Sequence, residues 1–360
     1  MRTRFAASIA AMVVSVLVVA PTALAMGTIV HLGPGGGALV GLSDDGRYVA
    51  VRGATGVMRY DLGVGGSVSV PIPAITTMSG DGKTFWWPDG YVVRRASLTG
   101  VSAVVVPRFE DWWWTKVSTN STGTVLGLAG TSGAYAATSA FVWEVATKKL
   151  TRLSPTTRIA GSVTVSSSGR YVSYYSQIEP VGASHAGCIY VRDLSTGATS
   201  VVTVNTAGKQ SATGYYTHPV ISGDGRKVAF LSDATDLVAG ATTRVWRLYL
   251  RNLDTRTTTL LTKNVLQTYS GPDLAVDGAG SRVVFYRLAP TGASGALDVQ
   301  AFVLDVATRA EFRLATGLGG VNPNGPTWAA KLAATGRVAF QSNATNLVSS
   351  HLTGVFARTL

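Results

Sequence analysis

A single cysteine, Cys188, stands in 360 residues, so no internal disulfide can hold this chain together. Burial of apolar side chains must do that work, and 46% of the residues are hydrophobic. Histidine is nearly as scarce: His31, His185, His218 and His351 are widely separated, and none has a metal-chelating spacing. The patterns His-Glu-x-x-His, Gly-x-Ser-x-Gly and Ser-x-x-Lys are all missing, so no familiar hydrolytic constellation can be read from the chain. Charged residues make up only 14%, and acids are short against bases, 19 to 31, for a net charge of +12. Basic pairs such as Arg94-Arg95 and Lys148-Lys149 stand apart, with no run that would track a nucleic acid backbone. The expectation is a protein without a metal, a cofactor or a nucleic acid partner.

Membrane-length apolar runs are also missing, with one exception. Arg2 and Arg4 precede an apolar stretch from Phe5 to Ala20, and Ala23-Leu24-Ala25 offers the small residues of a cleavage site. These are the three parts of a secretory signal, expected to span 1–25 and to be cut after Ala25. An uncleaved anchor is the alternative, disfavoured by Pro21 and the Ala-Leu-Ala site. Cleavage removes Arg2 and Arg4, the only charges in the signal, and leaves +10. Residues 26–360 then form one exported domain with no further transmembrane segment, expected to be a monomer. Cys188 sits beside Ile189-Tyr190-Val191 and reads as a small buried side chain, not a reactive thiol.

Glycine, in contrast, is abundant at 41 residues, and seven of them recur at an equivalent place. In Ile221-Ser-Gly-Asp-Gly-Arg-Lys-Val-Ala-Phe230 an apolar strand ends at Asp224-Gly225 and a second begins at once, as in a tight hairpin. Asp45-Gly46, Asp81-Gly82, Thr122-Gly123, Ser168-Gly169, Ala279-Gly280 and Thr335-Gly336 repeat that turn. Gly persists while its predecessor drifts, because positive φ is what the turn requires. A second marker follows, as in Tyr60-Asp61-Leu62, Asp193-Leu194-Ser195-Thr196-Gly197, Asn252-Leu253-Asp254-Thr255 and Asp305-Val306-Ala307-Thr308, and links a third strand to an outermost one. Outermost strands are expected at Ala198 to Val204 and Thr257 to Thr262.

A repeat of several short strands per roughly 40 to 55 residues implies blades set around an axis. The fold class is therefore all-β, a seven-bladed β-propeller of four-stranded antiparallel blades, with six blades as the alternative because copy two is short and copy three degenerate. Copy seven supplies strands at Thr327 to Leu332, Arg337 to Ser342 and Gly354 to Leu360 and then ends. The unpartnered strand Thr28 to Leu32 is expected to complete it and close the ring.

On these residues the chain resembles the TolB-like or WD-repeat-like propellers, whose blades carry Ser-x-Asp-Gly-Arg-x-Val-Ala-Phe. The match is close at Ser222 to Phe230, good at Ser43 to Ala50 and Ser166 to Val172, and weaker in copies two, three and six. The resemblance implies the fold more than any one activity, since such propellers serve as translocation proteins, docking platforms, and appendages of peptidases and lyases. Ala234 to Val238 and Ala344 to Val348 keep a segment common in these blades. The acidic stretch that follows it in relatives is replaced, which speaks against calcium there.

Short turns joining strands one to two and three to four lie on one face of such a ring, and the remaining loops share the other. The second set is aromatic. Phe109, Trp112, Trp113 and Trp114 are expected between copies two and three, Tyr215, Tyr216 and His218 between four and five, Tyr269 between five and six, and Asn322, Asn324 and Trp328 between six and seven. The loop from Gln177 to Gly187 adds Glu179 and His185. Neighbours on a strand face opposite sides, so at least one ring of the tryptophan triplet must be exposed or lie between blades. The candidate ligand-binding set is thus Trp112, Trp113, Trp114, Tyr215, Tyr216, His218, His185, Tyr269 and Trp328, with the competing reading that many of these rings pack between blades. Functionally this favours a secreted or envelope-associated, non-catalytic module that binds a protein or a cell-wall polysaccharide. A glycan-active lyase or hydrolase, resting on Glu179, His185, His218 and Asp273, and a purely structural role are the alternatives.

Overall fold

The computed structural model describes residues 28–33, 37–72, 77–100, 102–133, 137–154, 160–177, 187–211, 213–263, 265 and 274–360. They form seven four-stranded antiparallel sheets, so the expectation of seven blades holds and the six-bladed alternative falls. Blade five is representative, with strands Tyr216–Ile221, Lys227–Ser232, Arg247–Asn252 and Thr257–Lys263 from the axis outwards.

The recurrent motif folds as a small hydrogen-bonded unit. Ser222 Oγ donates to Asp224 Oδ1 at 2.6 Å and accepts from the Lys227 amide at 3.0 Å, while the same Asp224 oxygen accepts from the Arg226 amide at 2.9 Å. Gly225 between them has φ of 75°, and the six equivalent glycines also have positive φ. Ser and Asp thus satisfy the main chain of the turn from within it. Asn120 does the same in blade three, its Oδ1 accepting from the Thr124 and Val125 amides. The Arg that follows Gly has its own partner: Arg47 grips Asp61, Arg170 grips Asp193 and Arg226 grips Asp254, each tying the first turn to the end of the third strand.

Around the axis, main-chain hydrogen bonds pass from blade to blade: Asp44 to Gly80, Asp81 to Ser121, Ser121 to Ser167, Ser167 to Gly223, Asp224 to Gly278, and Ala334 back to Asp44, at 2.7–3.0 Å. Such close approach requires small side chains, which is why Gly80, Ser121, Ser167, Gly223, Gly278 and Ala334 occupy the rim. A narrow cavity of about 370 Å³ lies at the axis there, lined by Asp44, Ser167, Gly223, Gly278 and Ala334.

The core lies between blades. Strand-two and strand-three rings stack in blades four to seven, as Tyr174 on Tyr190, Phe230 on Tyr249, Phe285 on Phe302 and Phe340 on Phe356, with centroids 5.5–5.7 Å apart. Cys188 is fully buried, and desolvation raises its thiol pKa, so it is packing material and not a thiolate.

Closure follows the expected route. Val30–His31 pairs antiparallel with Gly354–Thr359, Val30 opposite Ala357 and His31 opposite Phe356, and the Leu32 amide extends the ladder to Val355 O at 2.7 Å. One expected strand is shorter than anticipated. In blade four the outer strand is Thr199–Val201, not Ala198 to Val204, because the chain turns at Val202 and forms a separate bridge between Val204 and Gln210.

Candidate binding face

The tryptophan triplet lies on the innermost strand of blade three, Trp112–Thr119, not in the connection before it. The eight-residue strand begins early because Trp114 is claimed by blade two, its amide donating to Gly90 O at 2.9 Å and its Nε1 to Tyr91 O at 3.1 Å. Alternation then sorts the rings. Trp112 and Trp114 are buried against Phe141, with centroids 5.0 and 5.3 Å away, while Trp113 points the other way and is 51% exposed.

Trp113 is not alone. It meets Tyr91 edge-on at 5.4 Å, Tyr91 is itself exposed, and the Arg108 guanidinium lies 4.5 Å from the Tyr91 centroid while pairing with Asp111. Gly90, at φ of 63°, lets the hairpin turn pass directly beneath the indole. The result is an exposed aromatic–guanidinium platform where the chain enters blade three. Tyr91 and Arg108 were not singled out from sequence; the Asp89-Gly90 turn signal just before Tyr91 could have marked it.

A similar arrangement occurs at blade five. Tyr215 is 43% exposed, its amide donates to Asp233 Oδ1 at 2.6 Å, and Arg244 lies over its ring while pairing with Asp233 at 3.4 Å. Both platforms stand where an inner strand begins, which the topology puts on one face of the ring.

Tyr216 and Trp328 are built into the fold. Tyr216 is buried on the first position of its strand, its hydroxyl donating to Thr213 O at 2.6 Å and to Ser211, which in turn donates to Asp236. Burial raises the phenol pKa, so Tyr216 keeps its proton and acts as a donor. Asp236 belongs to the Ala234 to Val238 segment, and Asn346 holds the same place in blade seven, accepting from the Asn324 amide and donating to Asn322 O. The segment is therefore a clasp between a blade and the chain entering it, and Asn322 and Asn324 are part of that clasp. Trp328 also lies on an inner strand, Thr327–Leu332, half-buried against the core between blades six and seven. His185, Tyr269, Glu179 and Asp273 lie outside the described residues, and of His218 only the main chain, in Tyr216–Ile221, is described. His31 and His351 each hold a main-chain carbonyl, of Thr353 and Thr345. Among the described residues no three His, Cys, Asp or Glu side chains converge as a metal site would need.

No protein-family model matches this sequence, and no curated protein matches it either. Solved structures do share its shape. An oligogalacturonate lyase from Vibrio parahaemolyticus aligns at a TM-score of 0.63 and 14% identity over 91% of this chain and 92% of its own. An oligogalacturonate lyase in complex with manganese aligns at 0.64 and 14% over 96% of each. TolB from Acinetobacter baumannii aligns at 0.48 and 12% over 77% of this chain and 62% of its own. Identities this low establish the architecture alone.

Proposed function

We propose that this chain is an exported, non-catalytic propeller that binds a protein or a cell-envelope component on the face where its inner strands begin. The observation that carries this reading is the Trp113–Tyr91–Arg108 platform. An indole exposed beside a tyrosine and an arginine, held between the buried rings of Trp112 and Trp114, supplies large contact area at little conformational cost. Tyr215 and Arg244 extend the same chemistry to another blade. The apolar segment before Pro21 directs export, with mature protein beginning at Met26, and the surplus of positive charge favours an anionic envelope. No helix among the described residues is long and apolar enough to cross a membrane.

The test compares the intact protein with Trp113→Ala and Tyr91→Ala in sedimentation with purified cell-wall polysaccharide and in capture from the envelope of the secreting cell. Binding should weaken at least about tenfold in either variant, about 1.4 kcal/mol, with the unfolding midpoint unchanged. Full binding by Trp113→Ala would overturn the assignment. N-terminal sequencing of exported protein should read from Met26. The glycan-active alternative draws on the shape shared with the oligogalacturonate lyases, and turnover of oligogalacturonate by the purified protein would replace the binding-module reading.

A further inference from the structure

A cavity of about 1020 Å³ opens on the outer rim between blades four and five. It exists because the outer strand of blade four ends at Val201, after which the chain turns and crosses to blade five, where the Thr206 amide donates to Asp236 O at 3.1 Å. Ser200, Asn205 and Thr206 line one side, and Arg251, Arg256 and Thr258 the other.

The charges along this cleft do not balance. Its two carboxylates are already matched: Arg170 holds Asp193 through Nε and Nη2 at 3.0 and 2.7 Å, and Arg226 holds Asp254 at 2.7 Å. Its two arginines are not. Arg256 is exposed in the left-handed turn, at φ of 55°, and makes no ion pair among the described residues. Arg251 is 8% exposed, its Nη1 donates to Thr258 Oγ1 at 3.0 Å, and its buried Nε has no partner. Orphaned Nε atoms also occur at Arg59, Arg152, Arg247, Arg287 and Arg358. Those five are otherwise settled, because Arg59, Arg152 and Arg287 lie over aromatic rings, and Arg247 and Arg358 donate to main-chain carbonyls. Among the described residues Arg251 has the Thr258 hydroxyl as its one side-chain partner. Burial and the nearby Arg256 charge both lower its pKa, which marks a cation without compensation.

We infer that this cleft binds a sugar acid, its carboxylate against Arg251 with Arg256 alongside and its hydroxyls toward Ser200, Asn205 and Thr206. The chain itself displays arginine–carboxylate pairing, since Arg47 and Arg170 hold Asp61 and Asp193, whereas no carboxylate among the described residues pairs with Arg251. Hydroxyl and amide groups facing two arginines suit a polyhydroxylated ring bearing one carboxylate. This site is separate from the Trp113 platform.

The experiment titrates D-glucuronate into the full-length protein by calorimetry, with D-glucose and a glutamate-containing peptide as comparators. Saturable binding of glucuronate is expected, with none of glucose. Affinity should fall about tenfold or more in Arg251→Lys, which keeps the charge but loses the flat edge, and in Arg256→Gln, whose exposed position leaves folding intact. Absence of glucuronate binding, undiminished binding in both arginine variants, or equal affinity for the acidic peptide would each overturn the inference.

Discussion

Trp113 and Trp114 are adjacent and chemically identical, yet one should tolerate removal and the other should not. Trp114 is 1% exposed and packs on Phe141, so Trp114→Ala should cost about 3–5 kcal/mol, read as a lowered midpoint in urea. Trp113→Ala should cost within about 0.5 kcal/mol, because its ring leaves no cavity behind. The alternation that separates them was legible in sequence, but which of the two sets faced inward was not, because three equal rings give no phase. Carboxylates supply a second test at this scale. Hydrogen bonds from Arg170 and Ser195 hold Asp193 well below the usual carboxylate range, and Arg47, Gly63 and Val64 lower Asp61 despite the opposing effect of burial. A depressed folded-state pKa contributes stability that is present above the unfolded value, near 4, and is lost as pH falls through the folded one. Stability should therefore decline below about pH 4, and Asp193→Asn should flatten that decline in acid titrations of the unfolding midpoint.

The hairpin turn of each blade is the element on which the repeat depends. Gly225 has φ of 75°, and a Cβ there would run into the Tyr171 ring of blade four; Gly295 has φ of 68° in open space. Both positions carry backbone strain for any other residue, but only the first adds a collision between blades. Gly225→Ala should therefore destabilise by about 1–3 kcal/mol and Gly295→Ala by about 1 kcal/mol, measured by thermal or urea unfolding. The Ser-x-Asp-Gly-Arg sequence announced this turn because the hydrogen bonds that close it, between the Ser222 and Asp224 side chains and the turn's own main chain, span no more than five residues. Where an element is completed from another blade, the sequence was silent. The early start of the Trp112–Thr119 strand depends on Gly90 and Tyr91 of blade two.

The ring as a whole is closed by few residues. Val30–His31 and the Leu32 amide are what cover the edge of Gly354–Thr359. A protein beginning at residue 37 should unfold at lower urea and self-associate through that bared edge, visible as a larger species by light scattering. Equal stability and unchanged mass for the truncated chain would show that closure contributes nothing.

The turns and the strands they join could be read from the chain alone, because they follow from hydrogen bonds and side-chain alternation confined to a few neighbouring residues, whereas the choice of seven blades over six and the pairing of Val30 with Ala357 were decided by the packed sheets. The pairing of Trp113 with Tyr91 and Arg108, and the uncompensated Arg251 at the rim, belong to contacts between blades. Residues far apart in sequence meet there only once seven sheets pack round one axis, and no local pattern encodes which side chain the next blade will cover.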